Sequence, residues 1–519
     1  MTGEHSSQGA REMPLGDIVR LQATGRDRAT ALICGNEVLT YGALERRANQ
    51  IANGLHAAGI GAGDRVAYLG FNGLPYFEIL FGAAKVGAIF VPLNWRLAAP
   101  EVAAVLADAG VKRIFATRRM AAQLTDPSVP VEWVDEPGYC AWRDGQSSSD
   151  PFVSVDSADC AVLIYTSGTT GSPKGVMLSH GSLLTLRLQV PVEAEPDWNR
   201  WSHDDVSLIV MPLFHVGGLC LALWTLLYGA SGVVVPSFDI DEILQELIRH
   251  SVSKLFLVPT ALRLLIEHPR VDQADLSRIR YIMYGAAPIP LELLRKCMNK
   301  LRCGFIQMYG MTETAGTVTV LTPLDHEGDG TDPLSSVGRA LPGVKLAIAD
   351  ADGRNLPPGE IGEVLIRSPS MMTGYWGMPE ATAEVLTAGW LRSGDAGYLD
   401  RDGYLHLCDR VKDMIISGGE NIYPAEVENA IHDHPDVAEV AVIGVPSERW
   451  GETVHAVIVP RTGIEPDPQS IIAWTRTRIA GYKVPRSIEF VDQLPRNPSG
   501  KVLRRLLREA RGRARSDGS

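Results

Sequence analysis

The densest group of potential phosphate ligands in this chain lies at residues 165–175, which read YTSGTTGSPKG. Eight of these eleven residues are Gly, Ser or Thr, so backbone N–H groups, hydroxyls and the charge of Lys174 can surround an anion. The segment follows an apolar run, Ala161–Ile164, which predicts a strand, and a loop that leaves a strand is a suitable phosphate site. The spacing is not that of a Walker A loop, which needs G-x-x-x-x-G-K-[ST]. The alternative interpretation is a flexible surface turn without a ligand.

A second potential site lies at residues 307–314, which read QMYGMTET. A short strand that runs into a glycine and a Thr-Glu pair can present an aromatic ring, a hydroxyl and a carboxylate at one point. Such a carboxylate suits Mg²⁺, which binds few protein carboxylates together with phosphate oxygens. Taken alone, the motif is equally well explained as a strand end with a capping threonine.

Further polar motifs follow towards the C-terminus. Residues 393–395 read SGD and residues 409–413 read DRVKD, and a carboxylate is a natural acceptor for both hydroxyls of a ribose. Residues 417–424, SGGENIYP, contain two glycines that let the backbone approach a narrow ligand. Residues 495–501, PRNPSGK, form a loop that ends on a lysine. The alternatives are an exposed charged turn, a plain β-turn and a solvent-exposed lysine.

In order and spacing, these motifs resemble those of the adenylate-forming enzymes, which include acyl-CoA synthetases, peptide-synthetase adenylation domains and beetle luciferases. The resemblance runs from Tyr165 to Lys501 and so covers most of the chain. It implies a two-step ligase: a carboxylate and ATP give an acyl-adenylate and pyrophosphate, and the thiol of coenzyme A then displaces AMP. ATP, Mg²⁺, coenzyme A and a small carboxylic acid are therefore the expected ligands.

The resemblance also implies roles for individual residues. The expected catalytic residues are Lys501, Thr312, Glu313 and His215. Lys501 would neutralise charge where the substrate carboxylate attacks the α-phosphate, Glu313 would be the metal ligand, and Lys412 the hinge between two domains. Gly418 and Gly419 would lie beside the pantetheine arm of coenzyme A. The expected ATP- and AMP-binding residues are Thr166, Ser167, Gly168, Thr169, Thr170, Gly171, Lys174, Gly285, Ala286, Ala287, Tyr309, Thr312, Asp395 and Arg410.

By the same resemblance, the acyl pocket contains His215, Gly217, Gly218, Leu219, Tyr284, Ala286, Ala287, Met308, Met311 and Val318. Some long-chain enzymes of the family carry a gating Trp where Leu219 stands, and plant 4-coumarate ligases carry a Tyr where Gly217 stands. The small residues predict a roomy apolar pocket into which a side chain at Gly217 or Gly218 would project. No Lys or Arg occurs among these positions, so a second substrate carboxylate would be buried unpaired. The family's usual G-G-A-P is G-A-A-P here.

Several functions stay open on the sequence. The leading hypothesis is an ATP-dependent acid–CoA ligase for a medium- or long-chain fatty acid, most similar to fatty-acyl-CoA and 4-coumarate/feruloyl-CoA ligases. The alternatives are an aryl-CoA ligase and an adenylating enzyme that loads a carrier protein. Peptide-synthetase relatives place an Asp near His215 to hold an amino group, and residues 213–221 contain none. A third hypothesis, a membrane-associated structural protein, rests on residues 206–238, which contain no Asp, Glu, Lys or Arg.

The amino-acid composition limits the kinds of binding partner and the cellular compartment that we expect for this protein. The net charge of −12 argues against a nucleic-acid partner, and the arginines after residue 503 predict a solvated helix face. Seven scattered cysteines without a C-x-x-C pair predict reduced, buried thiols. The polar N-terminus lacks the apolar run of a signal peptide, and glycines and a proline interrupt the 206–238 stretch. We therefore expect a cytoplasmic protein without an integral membrane span; a monomer and a homodimer both stay open.

The elements that must position these residues read as α/β. Strands and helices alternate between residues 65 and 116, which predicts a parallel, doubly wound sheet, and a second unit of this kind follows between residues 206 and 308. We expect a large domain over 1–411, with a β-rich subdomain at 335–411. We expect a small, mobile α+β domain over 412–519 that carries Lys501. Residues 118–157 show little pattern and are expected to be peripheral.

Overall fold

The structure, a computed structural model, describes residues 13–124, 127–166, 173–327, 333–410, 413–417, 420–447, 449–496 and 502–516. The strands in chain order are β1 Thr30–Cys34, β2 Glu37–Thr40, β3 Arg65–Leu69, β4 Ile89–Pro92, β5 Arg113–Ala116, β6 Val131–Trp133, β7 Cys160–Thr166, β8 Lys174–Ser179, β9 Val206–Ile209, β10 Ser231–Val234, β11 Lys254–Leu257, β12 Tyr281–Gly285, β13 Gly304–Met311, β14 Gly316–Leu321, β15 Arg339–Ala340, β16 Lys345–Ala349, β17 Gly362–Arg367, β18 Gly374–Tyr375, β19 Leu386–Thr387, β20 Trp390–Leu399, β21 Leu405–Arg410, β22 Ile415–Ser417, β23 Glu420–Ile422, β24 Val437–Ser447, β25 Gly451–Pro460 and β26 Ser487–Phe490.

The α-helices in chain order are α1 Gly16–Arg26, α2 Tyr41–Ala57, α3 Leu74–Lys85, α4 Ala99–Ala109, α5 Pro137–Asp144, α6 His180–Leu188, α7 Val216–Leu227, α8 Ile240–Arg249, α9 Pro259–Glu267, α10 Leu291–Leu301, α11 Pro323–His326, α12 Pro379–Val385, α13 Pro424–His432, α14 Pro468–Arg476 and α15 Arg504–Ser516. The chain divides into two compact units, Met1–Lys345 with Arg367–Leu391, and Leu346–Ile366 with Arg392–Ser519.

The first unit contains the two α/β sheets that the sequence predicts. One sheet has the order β18-β8-β7-β4-β3-β5-β6, and its β3, β4 and β5 pair in parallel. The other has the order β15-β14-β13-β12-β11-β9-β10-β1-β2, with β9 to β13 in parallel. The prediction of parallel α/β units is confirmed. Thr40 caps α2, because its side chain accepts a hydrogen bond from the Ala43 N–H.

Residues 118–157 have more structure than the sequence pattern indicates. They form β6, which pairs in parallel with β5, and the short helix α5. Tyr139 and Arg143 of this helix are buried, and both hydrogen-bond to the buried carboxylate of Glu78 on α3. The expectation of a peripheral segment holds for the edge position of β6 but is wrong for α5, which buries a charged network.

The apolar stretch at residues 206–238 forms β9, α7 and β10 within the second sheet. Its helix has 12 residues and is buried along most of its length. Within the described ranges, no helix is long and apolar enough to cross a bilayer. All seven cysteines are free, as predicted, but burial is confirmed only for Cys220 and Cys297. Cys140 is exposed, and the other four are half-buried.

The second unit contains two sheets in which antiparallel pairs predominate, and β26 pairs in parallel with β25. In one, β16, β17, β20 and β21 are neighbours in that order, and in the other β24 and β25 form a long hairpin flanked by β22 and β26. Val427 and Ile431 on helix α13 belong to an apolar core with Val442 and Ile458. The β-rich region 335–411 is present but is divided between the two units. The predicted domain boundary between residues 411 and 412 stays a prediction.

Candidate active site

The Thr-Glu pair lies on a tight turn that close backbone contacts hold in place. Strand β13 ends at Met311, a single 3₁₀ turn covers Thr312–Thr314, and β14 begins at Gly316. A Cβ at Gly310 would lie 1.9 Å from the Gly316 carbonyl oxygen, so only glycine fits there. The fully buried Thr314 donates its hydroxyl to that same oxygen at 2.6 Å and accepts from the Met311 N–H at 3.1 Å. The neighbouring Glu313 is thereby held on a fixed backbone.

Glu313 and Lys174 meet at a residue that the sequence did not single out, Tyr375. The Tyr375 hydroxyl donates to Glu313 Oε1 at 2.9 Å. The ammonium of Lys174 lies 4.9 Å from the centre of the Tyr375 ring, a cation–π distance. Tyr375 is placed by β18, which pairs with β8 just after Lys174. The structure thus brings the lysine of the phosphate-loop motif and the carboxylate of the second motif to one aromatic side chain.

The ends of the phosphate loop are described, and its centre is not. Thr166 ends β7 and lies opposite Lys174, the first residue of β8, in an antiparallel pair. The strand predicted at Ala161–Ile164 is therefore confirmed. Ser167, Gly168, Thr169, Thr170 and Gly171 lie outside the described residues.

His215 is half-buried at the N-terminus of α7, and its Nε2 atom is shielded from solvent. Its Nε2 has no hydrogen-bond partner among the described residues. Burial, and secondarily the positive charge of Arg96, lowers the pKa of His215 to about 4. The ring is therefore neutral near pH 7, where one nitrogen donates and the other accepts. A buried, unpaired ring nitrogen is a position that a bound ligand can satisfy.

Two buried side chains fix the loop that leads to His215. Asn72 accepts from the Leu213 N–H at 3.0 Å and donates to the Met211 carbonyl at 3.1 Å. Tyr76 donates its hydroxyl to the Leu213 carbonyl at 2.8 Å. Both residues come from the preceding α/β unit, more than 130 positions earlier in the chain. No local pattern around His215 indicates these contacts.

Helix α7 is also joined to the turn that carries Glu313. The thiol of Cys220 donates to the Ala315 carbonyl at 3.3 Å. Gly316 has a φ of +103°, and a Cβ at this position would lie 3.2 Å from the same sulfur, so the absence of a side chain allows the close contact. The elements that carry His215, Glu313 and Lys174 are therefore linked by direct contacts within the first unit.

The predicted adenine-binding segment begins at the end of β12. A Cβ at Gly285 would lie 2.2 Å from the Met308 carbonyl oxygen, so this glycine is required by the close approach of β13. Ala286 has φ +65°, a left-handed conformation that is costly for a residue with a Cβ. Ala287 follows it, and Tyr309 lies on β13 opposite Thr319. Glycine would adopt this conformation without the steric cost that Ala286 bears.

In the second unit, Asp395 and Arg410 are direct cross-strand neighbours. Asp395 on β20 lies opposite Arg410 on β21 in an antiparallel pair, and Asp395 is buried. The sequence separates them by 15 positions, and the hairpin brings them together as one site would require. Lys412, Gly418, Gly419 and Lys501 lie outside the described residues, so their roles stay predictions.

A cavity in the first unit opens beside the Glu313 turn. Its wall includes Ala315 and Ser370, and the Ser370 hydroxyl donates to the Thr314 carbonyl at 2.9 Å. Met308, which was predicted for the acyl pocket, is also part of the wall, as are Trp224 and Val320. The cavity therefore extends from the turn into an apolar interior.

Three details of the predicted acyl pocket need correction. A Cβ at Gly218 would lie 2.5 Å from the Pro212 carbonyl oxygen, so this glycine allows a close backbone contact and does not leave room for substrate. The Tyr284 ring is buried in the core, and its hydroxyl lies 2.9 Å from His326 Nε2. The predicted wall also omits a cation, because Arg187 borders the same cavity as Met308.

The remaining predicted wall residues keep their apolar character. A Cβ at Gly217 would lie 3.4 Å from the Phe256 ring, an ordinary contact. Leu219 and Val318 are fully buried, and Met311 is half-buried. Their contact with a substrate stays a prediction.

Comparisons with known proteins agree with this arrangement. Residues 19–376 match the model of the AMP-binding enzyme family, and residues 426–501 match the model of the AMP-binding enzyme C-terminal domain. The chain is 42% identical over 483 residues to the fatty acid–[acyl-carrier-protein] ligase ScoC of Streptomyces coeruleorubidus, covering 92% of this chain and 93% of that protein. It is 42% identical over 509 residues to a feruloyl-CoA synthase of an Amycolatopsis species, covering 97% and 100%.

Solved structures support the same assignment. The structure of ATP-bound MatB from Rhodopseudomonas palustris matches with a TM-score of 0.86 and 32% identity, over 96% of this chain and 99% of that one. The family models together cover both ends of the motif series, from the phosphate loop to the final lysine. The chain therefore belongs to the AMP-binding, adenylate-forming enzyme family, and it is an acid–thiol ligase of that family.

Proposed function

We propose that this enzyme activates a carboxylic acid with an apolar body as its acyl-adenylate and transfers the acyl group to coenzyme A. The observation that carries the proposal is the joint placement of Lys174, Glu313 and Tyr375. The turn that carries Glu313 continues to Ala315, which borders a cavity whose wall includes Met308 and Trp224. Cationic and hydroxyl groups suited to phosphates thus adjoin an apolar cavity suited to an acyl chain. A medium- or long-chain fatty acid is the leading substrate class.

In the first half-reaction, a substrate carboxylate oxygen attacks the α-phosphorus of ATP, and the bond to pyrophosphate breaks. Lys174 and the loop 166–171 would hold the phosphates, and Thr312 would contact the α-phosphate. Lys501 would offset the charge that develops on the α-phosphate. His215, neutral near pH 7, would direct its free ring nitrogen towards the reacting groups. Asp395 and Arg410 would bind the ribose, and Tyr309 with 285–287 the adenine.

Glu313 fits a Mg²⁺ ion. Its Oε1 accepts the Tyr375 hydroxyl, whereas Oε2 accepts no hydrogen bond within the described residues. One carboxylate oxygen with phosphate oxygens is an ordinary Mg²⁺ environment, and the ion would neutralise phosphate charge. In the second half-reaction, the sulfur of coenzyme A attacks the acyl carbonyl carbon, and AMP leaves. Gly418 and Gly419 would flank the pantetheine arm after a rotation about Lys412.

The half-reactions provide the test. Lys501→Ala should lose most pyrophosphate release from acid and ATP, yet should still form thioester from supplied acyl-adenylate and coenzyme A. Lys483→Ala, which breaks a surface ion pair with Glu426, is the matched control and should keep both activities. Equal loss of both half-reactions in the Lys501 variant would contradict the assigned role.

A second acceptor deserves the same assay, because a relative at 42% identity is named as a ligase for an acyl-carrier protein. Free coenzyme A and a phosphopantetheinylated carrier protein should be compared with one acyl-adenylate. Faster transfer to the carrier would replace coenzyme A in the proposal and leave the adenylation step unchanged. An aryl acid is the alternative to a fatty acid, because a relative of equal identity is named as a feruloyl-CoA synthase.

A further inference from the structure

The cavity beside the Glu313 turn has a polar end. Three of its wall residues, Arg187, Asn199 and Glu195, form what we call the polar cluster. Asn199 links the other two, because its side chain accepts from Arg187 Nη1 and donates to Glu195 Oε2. Arg187 is 8% exposed and Glu195 6% exposed. A buried arginine and a buried glutamate in an otherwise apolar wall cost free energy to maintain.

Arg187 is incompletely used by the protein. Its Nη1 donates to the Asn199 carbonyl and side-chain oxygens, and its guanidinium lies 4.1 Å from the centre of the Trp224 ring. Within the described residues, Nε and Nη2 donate no hydrogen bond. Arg187 borders the cavity, and guanidinium donors that have no protein acceptor beside a cavity are suited to an acceptor atom on a ligand.

The cluster lies in the same cavity as the residues beside the reacting groups. Ser370 and Ala315 border it next to the Glu313 turn, and Met308 and Trp224 form the apolar wall. An acyl group whose carboxylate is at the turn would extend along this wall. Its far end can then reach the polar cluster.

We propose that the polar cluster selects acids that carry an uncharged oxygen, a hydroxyl or an ether, at the end far from the carboxylate. This inference rests on the proposed function and specifies its substrate class. Arg187 would donate to that oxygen, and Glu195 or Asn199 would accept from a hydroxyl. A second carboxylate would fit less well, because the charge of Arg187 is already balanced by Glu195.

Matched pairs of acids test the inference. The pairs are cinnamate with 4-hydroxycinnamate, and decanoate with 10-hydroxydecanoate, scored by kcat/KM for pyrophosphate release. The wild type should prefer the oxygenated member of at least one pair by about 10- to 100-fold, as expected for a hydrogen bond to a charged donor. Equal use of both members in both pairs overturns this inference alone. No pyrophosphate release with any acid overturns the proposed function and this inference with it.

Variants identify the residues responsible. Arg187→Met should remove the preference, mainly through KM for the oxygenated acid, and should leave kcat/KM for the unsubstituted acid close to that of the wild type. Arg113→Met is the matched control, because Arg113 also pairs with a glutamate and lies over a tryptophan, Glu132 and Trp142, away from the cavity. An unchanged preference in Arg187→Met, or an equal fall for both acids, overturns the inference.

Neutralising the charge of Glu195 gives a gain-of-function test. Glu195→Gln leaves the charge of Arg187 unbalanced, so dicarboxylic acids such as decanedioate should gain at least about tenfold relative to decanoate. If Arg187→Met does not fold because Glu195 is left buried without its partner, the double variant Arg187→Met/Glu195→Gln removes both charges. A folded double variant that keeps the wild-type preference overturns the inference.

Discussion

The hydrogen bond between Tyr375 and Glu313 gives the sharpest prediction about the nucleotide site. Tyr375→Phe removes one hydroxyl and keeps the ring over Lys174. The bond is 2.9 Å long, and the tyrosine is 8% exposed. A hydrogen bond to a charged group contributes ~1.5 to 3 kcal/mol. If that free energy orients Glu313 in the transition state, kcat/KM for ATP should fall by about 10- to 100-fold.

The assay is pyrophosphate release with varied ATP and varied Mg²⁺. The Mg²⁺ concentration for half-maximal rate should rise in Tyr375→Phe, because the carboxylate is less well oriented. Tyr281→Phe is the control: Tyr281 also donates to a carboxylate, Asp197 at 2.6 Å, on the exposed surface. A Tyr375→Phe enzyme with the rate and the Mg²⁺ dependence of the Tyr281→Phe control would refute the role given to this contact.

Three further outcomes follow from the structure. Burial lowers the pKa of His180 and of His215 to about 4. Because the unfolded chain binds more protons than the folded protein between about pH 6.5 and 4, the free energy of unfolding should fall on acidification by up to ~3 kcal/mol per histidine. Urea unfolding of His180→Gln should therefore show a shallower pH dependence than that of the wild type. Ala286→Gly should relieve the left-handed strain and raise the free energy of unfolding by ~0.5 to 1 kcal/mol; a decrease would contradict the strain. Gly218→Ala should cost ~1 to 3 kcal/mol because of the Pro212 contact, whereas Gly217→Ala should fold normally; equal melting temperatures would contradict this difference.

Local patterns predicted much of the fold. The alternation of apolar runs and helical periodicity located β3 to β5 and the helices between them. What could not be predicted depends on distant pairing. Strand β1, near the N-terminus, pairs in parallel with β10, about 200 residues later, and nothing in either short strand specifies that partner. The division of residues 335–411 between two units could not be predicted for the same reason, because it depends on packing between segments that are distant in the sequence.

The site residues also could be predicted only where they belong to a local sequence motif. Lys174, Glu313 and His215 were identified because their motifs are local in the sequence. Tyr375 was missed, since a single tyrosine 62 positions after Glu313 has no distinctive sequence context. Arg187 was missed for a different reason: an arginine on a helix is usually exposed, and only the packing of Trp224 and Asn199 around it buries it. Gly218 was assigned to the pocket because the sequence does not reveal the nearby Pro212 carbonyl.

The central claim is that catalysis proceeds through an acyl-adenylate. It is tested most directly with an acid whose carboxylate oxygens are both labelled with ¹⁸O, incubated with the enzyme, ATP, Mg²⁺ and coenzyme A. Attack of the carboxylate on the α-phosphorus transfers one labelled oxygen to AMP, and mass spectrometry should find one ¹⁸O in AMP and none in pyrophosphate. Thioester formed with unlabelled AMP, or with the label in pyrophosphate or inorganic phosphate, would contradict the mechanism.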